Sequence, residues 1–289
     1  MLIALAINVA MLAGGVVGGI LTGSLALLAD AGHVLSDVGA ILLGLAAAGL
    51  AARPAGPRRT FGFQRGEVIA ALLNGVALVV IAVLIAIEAI GRLGDPPEIA
   101  GGGVLALGLA GLAGNALAAL VLARGERADI NLQGVLRHSV ADALGSLGVV
   151  VSGAVVLAGG SAAVDPAVSL AIAALVLASS VRLIREPLDV LMEAAPAGVE
   201  VERLGQAMLT VENVREVHEL HVWTVTSGFD ALAAHVVVAA GGDRDRARRE
   251  LEFLLRDRFG IEHTTLQMEE QAGDALLQVQ APLHRRNEC

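Results

Sequence analysis

Two pairs of ionisable side chains lie inside apolar stretches that are long enough to cross a membrane. His33 and Asp37 form one pair, His138 and Asp142 form the other, and both have the spacing H-x-x-x-D. In an α-helix, residues four apart share a face and lie one turn apart. An ionisable group inside a bilayer costs about 2.5–3.5 kcal/mol on insertion scales, so these four groups require a chemical role.

Two such helix faces, brought together, supply two imidazoles and two carboxylates. Nitrogen and oxygen ligands in a four-coordinate site suit zinc. The two carboxylates carry a charge that a divalent cation cancels, which makes the site tolerable in a low dielectric. Without metal these groups bind protons, so metal and protons compete for one site, as in antiport. A single pair is explained as well by a structural hydrogen bond, but its repetition on a second helix favours a metal site.

Two further polar residues are candidate accessory groups on a proton path. Asp30 precedes Asp37 by seven residues and shares nearly the same helix face. Asp30 is a candidate partner of the metal ligands or a candidate proton acceptor near the outer mouth. A solvated carboxylate at a helix end explains this residue equally well. Asn8 is a candidate for lining the path, although hydrogen bonding between helices is the default role of such a group.

The elements that position these residues are membrane helices. Apolar residues make up 55% of the chain, aromatic residues 2%, and the mean hydropathy is +0.71. A spanning helix needs about 20 apolar residues, and six stretches qualify, which predicts an all-α six-helix transmembrane bundle over residues 1–185. The stretches run over 2–22, 27–50, 68–91, 101–123, 134–158 and 165–184. The first lacks a basic region and a cleavage site, so we interpret it as a helix and not as a signal peptide.

Arginine residues indicate how the bundle lies in the membrane. One side of the predicted bundle has only Arg92 in its loops. The other side has the remaining loop and helix-end arginines, namely Arg53, Arg58, Arg59, Arg65, Arg124, Arg127, Arg137, Arg182 and Arg185. Positive charge marks the cytoplasmic side, so we predict a multi-pass protein of the inner (cytoplasmic) membrane with both termini in the cytoplasm. The Ala, Gly and Arg bias, with no Lys, is typical of a GC-rich bacterium.

The last third of the chain, residues 186–289, is predicted to be a separate small α+β domain. Residues 1–185 hold ten acidic residues and ten Arg, whereas residues 186–289 hold nineteen acidic residues and ten Arg, so this segment carries the whole net charge of −9. Such acidity disfavours nucleic acid and suits cations. We predict helices over 199–209 and 243–259, strands over 214–226, 231–239 and 265–270, and a poorly specified end after 273.

Two functions of other classes are alternatives to transport. A membrane-embedded metalloenzyme needs an open zinc position and a general base, but the motif H-E-x-x-H is absent and four ligands from two helices would close the site. A proton-conducting or regulatory membrane protein would have His–Asp pairs that never bind metal, and metal-independent proton flux would identify it. The sequence predicts a transporter and not an enzyme.

Four motifs carry a resemblance that covers nearly the whole chain. They are S-L-A-L-L-A-D-A-G-H at 24–33, F-G-F-Q-R at 61–65, H-S-V-A-D at 138–142 and H-E-L-H-V-W at 218–223. With these motifs the sequence resembles the cation diffusion facilitators. The resemblance implies a homodimer in the lipid bilayer, with cytoplasmic ferredoxin-like C-terminal domains, that exports Zn²⁺ against protons. The transport site would be His33, Asp37, His138 and Asp142.

The resemblance also has implications for cargo and regulation. Histidine as the first residue of both pairs resembles the zinc-type branch, and the same transporter with Co²⁺, Cd²⁺, Mn²⁺ or Fe²⁺ as cargo is the alternative. Zinc is expected as the substrate and as a candidate regulatory ligand of the tail. The candidate residues for binding this regulatory metal match regulatory sites in relatives, and they are His218, His235, His263 and Glu269. Lone strand histidines are common, so a structural role explains them equally well. Metal bound there would offset the repulsion between two acidic tails in a dimer.

Two departures from the family pattern stand out. The usual cytoplasmic segment before the first helix is missing, which indicates that the start is truncated or misassigned. The loop at 124–133 has no histidines, whereas many zinc-type relatives have a histidine-rich loop there. This removes one candidate collector of cytoplasmic metal.

Overall fold

A computed structural model describes the backbone of residues 2–123 and 132–270, and the side chains of residues 5–117 and 142–270. The chain forms two compact units, Met1–Leu188 and Asp189–Cys289. The arginine-bearing loop at 124–131 and the end predicted after residue 273 lie outside the described residues.

Within residues 2–123 and 132–191, the N-terminal part of the chain folds into six α-helices, which confirms the predicted all-helical architecture. They are α1 (Leu2–Thr22), α2 (Leu25–Ala51), α3 (Gly66–Gly94), α4 (Gly101–Ala123), α5 (Leu132–Leu157) and α6 (Val164–Leu191). The helix α2 has a side-chain cap, because the Ser24 hydroxyl accepts a hydrogen bond from the Leu27 amide. Helix α6 extends beyond the predicted end at 184 and contains Pro187.

The helices have the composition and surface of membrane spans. By length and hydropathy, α2, α3, α6 and the Leu5–Thr22 part of α1 can cross a membrane, and the described parts of α4 and α5 add shorter apolar runs, Gly101–Leu117 and Asp142–Leu157. Large apolar side chains point outward, such as Leu21 at 78% and Ile87 at 63% exposure. In water this surface would be unfavourable, whereas lipid solvates it. The protein is a multi-pass membrane protein.

Small residues allow the helices to approach closely. A Cβ atom added to Gly15 on α1 would lie 2.9 Å from the Ala31 Cβ on α2. A Cβ atom added to Gly153 on α5 would overlap the Leu105 amide nitrogen on α4. Contacts this short leave no space for a side chain, so glycine at these positions sets the packing of α1 on α2 and of α4 on α5.

The second unit is the predicted small α+β fold, with a three-stranded sheet in the residues described up to Glu270. Its elements are α7 (Val201–Met208), β1 (Val214–Thr226), β2 (Phe229–Val238), α8 (Arg244–Phe259) and β3 (His263–Glu270). The sheet order is β1-β2-β3; β1 and β2 are antiparallel, and β2 and β3 are parallel. The turn between β1 and β2 contains Gly228 with φ of 73°, a conformation that glycine adopts without strain.

The helices of the second unit cover one face of the sheet through a compact apolar core. Leu204 on α7, Leu232 on β2 and Leu251 on α8 are all fully buried in this core. The ends of α8 are well defined, since the Asp243 carboxylate caps its first turn and Gly260 ends it in the left-handed conformation. The sheet is therefore a firm support for the side chains that its strands carry.

Candidate metal centre

Helices α2 and α5 bring a histidine and two aspartates together. The His33 Nε2 atom lies 2.8 Å from the Asp142 Oδ1 atom, and the two side chains are 17% and 15% exposed. Asp37 is the third member, because one ligand atom from each of His33, Asp37 and Asp142 lies within 4.8 Å of the others. His138 belongs to α5, one turn before Asp142, and its side chain lies outside the described part of the structure.

The membrane cluster has the donor chemistry of a zinc site. Ligand atoms around a tetrahedral zinc ion, at about 2.1 Å from the metal, lie about 3.4 Å apart. Donor atoms within 4.8 Å of one another reach that geometry through small side-chain movements. The contact between His33 and Asp142 requires a proton between Nε2 and Oδ1, and a metal bound to Nε2 takes that proton's place. The same atoms can therefore hold a proton or a metal ion, but not both.

Amide and hydroxyl side chains support the cluster from neighbouring helices. Asn74 on α3 donates a hydrogen bond of 2.9 Å to the hydroxyl of Ser36, the residue before Asp37. Asn115 on α4 donates to the Ser146 hydroxyl at 3.0 Å and to the Asp142 carbonyl oxygen at 3.4 Å. These intramembrane amides thus connect α3 with α2 and α4 with α5, the role that such groups have most often in membrane helices.

The candidate accessory residues Asp30 and Asn8 lie on different helices. Asp30 is on α2 and accepts a hydrogen bond of 3.4 Å from Ser146 on α5. It also lines a cavity of about 230 Å³ that Met11 on α1 and Gly111 on α4 line as well. Asn8 is half-buried on α1, three residues before Met11. The carboxylate of Asp30 is therefore one turn from His33 and next to a space large enough for water.

The structure reveals a buried carboxylate that the sequence analysis did not single out. Asp165 at the start of α6 is fully buried. Its Oδ1 atom accepts hydrogen bonds from Ser24 at 2.6 Å and Ser152 at 3.1 Å, and its Oδ2 atom accepts from the Leu25 and Ala26 amides at 2.7 and 3.2 Å. An acidic residue at a helix start is usually solvated. The position of Asp165 between two apolar segments is the sequence feature that indicates burial instead.

A second cluster lies on the sheet of the C-terminal unit. His218 on β1 and His235 on β2 face each other as direct partners of the antiparallel ladder, with ring centroids 5.2 Å apart. Glu269 on β3 contacts both: Oε1 lies 2.8 Å from His235 Nδ1, and Oε2 lies 3.7 Å from His218 Nε2. One ligand atom from each of these three residues lies within 4.8 Å of the others. The cluster combines two imidazoles with one carboxylate, a donor set that suits zinc.

Neighbouring groups favour the ionised form of the Glu269 carboxylate. The pKa of Glu269 is lowered, first by the hydrogen bond that Gln267 donates to it and then by the nearby imidazoles of His235 and His218, although partial burial opposes this shift. Gln267 Nε2 lies 2.8 Å from Glu269 Oε1. A carboxylate held in its ionised form is ready to bind a cation.

His263, the fourth candidate in the tail, is not part of this cluster. It lies at the other end of β3, where it pairs with Ala231 of β2. Its ring contacts Phe229 edge-on, with centroids 5.5 Å apart. Because Glu269 is six residues further along the strand, the parallel register keeps His263 away from the paired histidines.

Family models match both parts of the chain. Residues 1–192 match the cation efflux transmembrane domain, and residues 196–271 match the cytoplasmic domain of cation efflux proteins. A solved structure described as the "metal-bound C-terminal domain of the CzcD transporter from Cuprividus metallidurans" covers 25% of this chain and 99% of its own, with 33% identity and a TM-score of 0.24.

Curated bacterial proteins are similar over most of their length. A cadmium, cobalt and zinc/H⁺-K⁺ antiporter of Bacillus velezensis is 39% identical, over 88% of this chain and 82% of the relative. The zinc transporter ZitB of Escherichia coli is 39% identical, over 89% and 82%. The metal cation efflux system protein CzcD of Cupriavidus metallidurans is 37% identical, over 92% and 85%. With its membrane helices and both family domains, this chain belongs to the cation diffusion facilitator family, a family of cation efflux transporters and not of enzymes.

Proposed function

We propose that this protein exports divalent metal ions, zinc foremost, across the bacterial cytoplasmic membrane in exchange for protons. The observation that carries the proposal is the cluster of His33, Asp37 and Asp142, in which two membrane helices bring an imidazole and two carboxylates within 4.8 Å of one another. His138, one turn before Asp142, completes a tetrahedral site with two histidines and two aspartates.

Exchange for protons follows from the chemistry of the ligands. Two carboxylates in a low dielectric repel each other strongly unless a cation or protons neutralise them. When the metal leaves, protons take its place, and when a metal binds, the ligands release protons. A proton gradient directed into the cell therefore drives metal outward, because protons from outside displace the metal and are themselves displaced inside.

Zinc is the preferred cargo because the donor set mixes imidazole nitrogen and carboxylate oxygen. Hard ions such as Mn²⁺ favour sites made of oxygen alone, whereas imidazole suits zinc and its neighbours. The names of the relatives mention zinc, cadmium and cobalt. The same transporter with Co²⁺, Cd²⁺, Mn²⁺ or Fe²⁺ as its main cargo is the alternative.

Asp30 and Asn8 are proposed to line the route between the metal site and the outer side. Asp30 is nearer than His33 to the start of α2, and the arginine distribution supports an outer position for that end of the helix. The cavity of about 230 Å³ beside Asp30 gives room for water along that route. The same arginine distribution supports cytoplasmic termini and a cytoplasmic C-terminal unit.

The C-terminal unit is proposed to dimerise and to bind regulatory metal at His218, His235 and Glu269. Residues 196–271 match a cytoplasmic domain whose family name, ZT_dimer, denotes a dimer. The cluster is about one-third exposed, so metal can exchange with the solvent. His263 would contribute only as a ligand of a separate site, because it lies at the opposite end of its strand.

The test is zinc flux into vesicles that contain the purified protein, a zinc-sensitive dye and an imposed pH gradient. Wild-type protein is compared with Asp37→Ala and with the control Asp95→Ala, which removes an exposed carboxylate after α3. We expect gradient-dependent zinc flux in the wild type and the control, and none in Asp37→Ala.

Other outcomes would change the proposal in distinct ways. Zinc flux that ignores the pH gradient would remove the proton coupling. Flux of Mn²⁺ or Fe²⁺ without flux of zinc would change the cargo. Equal zinc flux in Asp37→Ala and wild type would refute the site.

A further inference from the structure

The buried Asp165 carboxylate joins three membrane helices at one end of the bundle. It belongs to α6, and its hydrogen bonds run to the start of α2 through Ser24, Leu25 and Ala26, and to α5 through Ser152. The helices α2 and α5 are the two that carry the cluster of His33, Asp37 and Asp142, which is called the transport cluster from here on. Asp165 is not among the residues whose ligand atoms meet in that cluster, and the proposed transport cycle assigns it no role.

The linkage is strong for a membrane protein because every partner is a donor and every atom is buried. Each oxygen of Asp165 accepts two hydrogen bonds, and Ser24, Ser152 and Asp165 are all 0% exposed. The first amides of a helix have no partner within the helix and form its positive end. The carboxylate therefore accepts hydrogen bonds from these amides of α2 and also places a negative charge at the positive end of the helix. Moving it away would leave a buried charge and several buried donors without partners, which is costly.

The distances from this linkage to the transport cluster are nearly the same along both helices. His33 follows Ser24 by nine residues on α2, and Asp142 precedes Ser152 by ten residues on α5. At about 1.5 Å per residue, these separations are about 14 and 15 Å. His33 and Asp142 therefore lie at nearly the same depth, where their side chains meet at 2.8 Å. An axial slip of one residue, about 1.5 Å, would separate them.

We propose that Asp165 is a positioning residue of the transport site: by fixing the ends of α2 and α5 to α6, it sets the register in which the ligands of the two helices meet. The proposal rests on the proposed transport site. Asp165 stays hydrogen-bonded to α2 and α5. This linkage fixes the axial position of the parts of the two helices that carry the ligands. Loss of this linkage weakens metal binding through geometry, without removing a ligand.

Ser152 and Ser169 offer a matched pair of variants. Both are fully buried serines with a hydroxyl that bonds to Asp165. Ser152 bonds to the carboxylate and links α5 to α6. Ser169 donates to the Asp165 carbonyl oxygen at 2.7 Å within α6, so it links no helices. A general effect of deleting a buried hydroxyl would appear in both variants, whereas a register effect would appear only in Ser152→Ala.

The experiment titrates Co²⁺ into the full-length protein in detergent, in a background with His218→Ala and His235→Ala so that the visible absorption of tetrahedral cobalt reports the membrane site. We expect Asp165→Ala to weaken Co²⁺ binding about 10- to 100-fold, the usual effect of losing a group that orients ligands. Ser152→Ala should weaken it by a smaller factor. Asp165→Asn, which keeps one acceptor oxygen, should lie between Asp165→Ala and the background, and Ser169→Ala should match the background.

Zinc flux in vesicles gives the second measurement. The Asp165 and Ser152 variants should raise the apparent KM for zinc more than they lower kcat, because the ligands remain present. A cobalt band that Asp37→Ala abolishes, but that Asp165→Ala and Ser152→Ala leave unchanged in intensity and affinity, would overturn the positioning role alone. No band in the background protein would overturn the transport site and, with it, the positioning role. If Asp165→Ala does not fold, Ser152→Ala against Ser169→Ala decides the matter.

Discussion

Removing one carboxylate from the transport cluster should stabilise the metal-free protein while it abolishes transport. Asp142→Asn keeps the shape of the side chain and an oxygen that can accept a hydrogen bond from His33. It removes one of two negative charges that face each other inside the membrane. In the metal-free wild type this repulsion opposes folding wherever protons do not offset it.

The magnitude follows from the geometry of the cluster. Ligand oxygens of Asp37 and Asp142 lie within 4.8 Å of each other, and two unit charges at that distance repel by about 3.5 kcal/mol at an effective dielectric constant near 20. Water that reaches the partly exposed side chains screens some of this, so we expect Asp142→Asn to raise the free energy of unfolding by about 1–3 kcal/mol. For a unit of this size, that corresponds to a melting temperature higher by about 3–10 °C.

The assay is thermal unfolding of the full chain in detergent, followed by helical circular dichroism, with and without zinc. Zinc should stabilise the wild type by about 2.7 kcal/mol at a concentration one hundred times its Kd, and it should stabilise Asp142→Asn far less. Asp95→Asn, which removes an exposed carboxylate, should change neither quantity. A metal-free Asp142→Asn protein that melts below the wild type, or that gains as much stability from zinc, would refute the idea that charge repulsion is stored in this site.

Three further predictions concern the C-terminal unit. His235→Ala should remove one tightly bound zinc ion per chain in equilibrium dialysis, while His263→Ala, on the same sheet but outside the cluster, should not. The lowered pKa of Glu269 adds stability that is fully present at pH values above the ordinary pKa of 4.5 and is lost as the pH falls through the lowered pKa of the folded state. Denaturant unfolding should show this loss of stability in acid for the wild type and not for Glu269→Gln. Leu251→Ala, at a fully buried core position, should cost about 2–5 kcal/mol of unfolding free energy, whereas Phe253→Ala, 59% exposed, should cost about 0.5 kcal/mol or less.

The helical architecture could be predicted from the sequence because lipid imposes a simple rule. Each span must be a long apolar helix, and α1 and α4 begin and end at the predicted residues, Leu2–Thr22 and Gly101–Ala123. The end of α6 differs because charge and proline indicate where lipid ends and not where a helix ends. Arg182 and Glu186 form an ion pair one turn apart on that helix, and the helix continues through Pro187 to Leu191.

The clusters could be predicted only in part, because spacing along the chain shows local geometry alone. The strands predicted over 214–226 and 231–239 contain His218 and His235, and the structure shows that these two residues are direct partners of the antiparallel ladder. The parallel pairing of β2 with β3 depends on the crossover through α8, and that pairing places Glu269 beside the histidines while it keeps His263 away. The contacts of Asp165 with α2 and α5 cannot be predicted from a local sequence pattern, because they depend on how the helices pack.

The two clusters use similar ligands in different surroundings, and this difference accounts for their different proposed roles. In the proposed transport site, His33 and Asp142 are only 17% and 15% exposed, so water screens its charge little and the proposed exchange of metal for protons supplies the neutralisation. On the sheet, His235 and Glu269 are 29% and 33% exposed, and water screens the carboxylate when no metal is bound. Because water can screen the charge of the empty cluster, its occupancy can follow the metal concentration, which is what the proposed regulatory role requires.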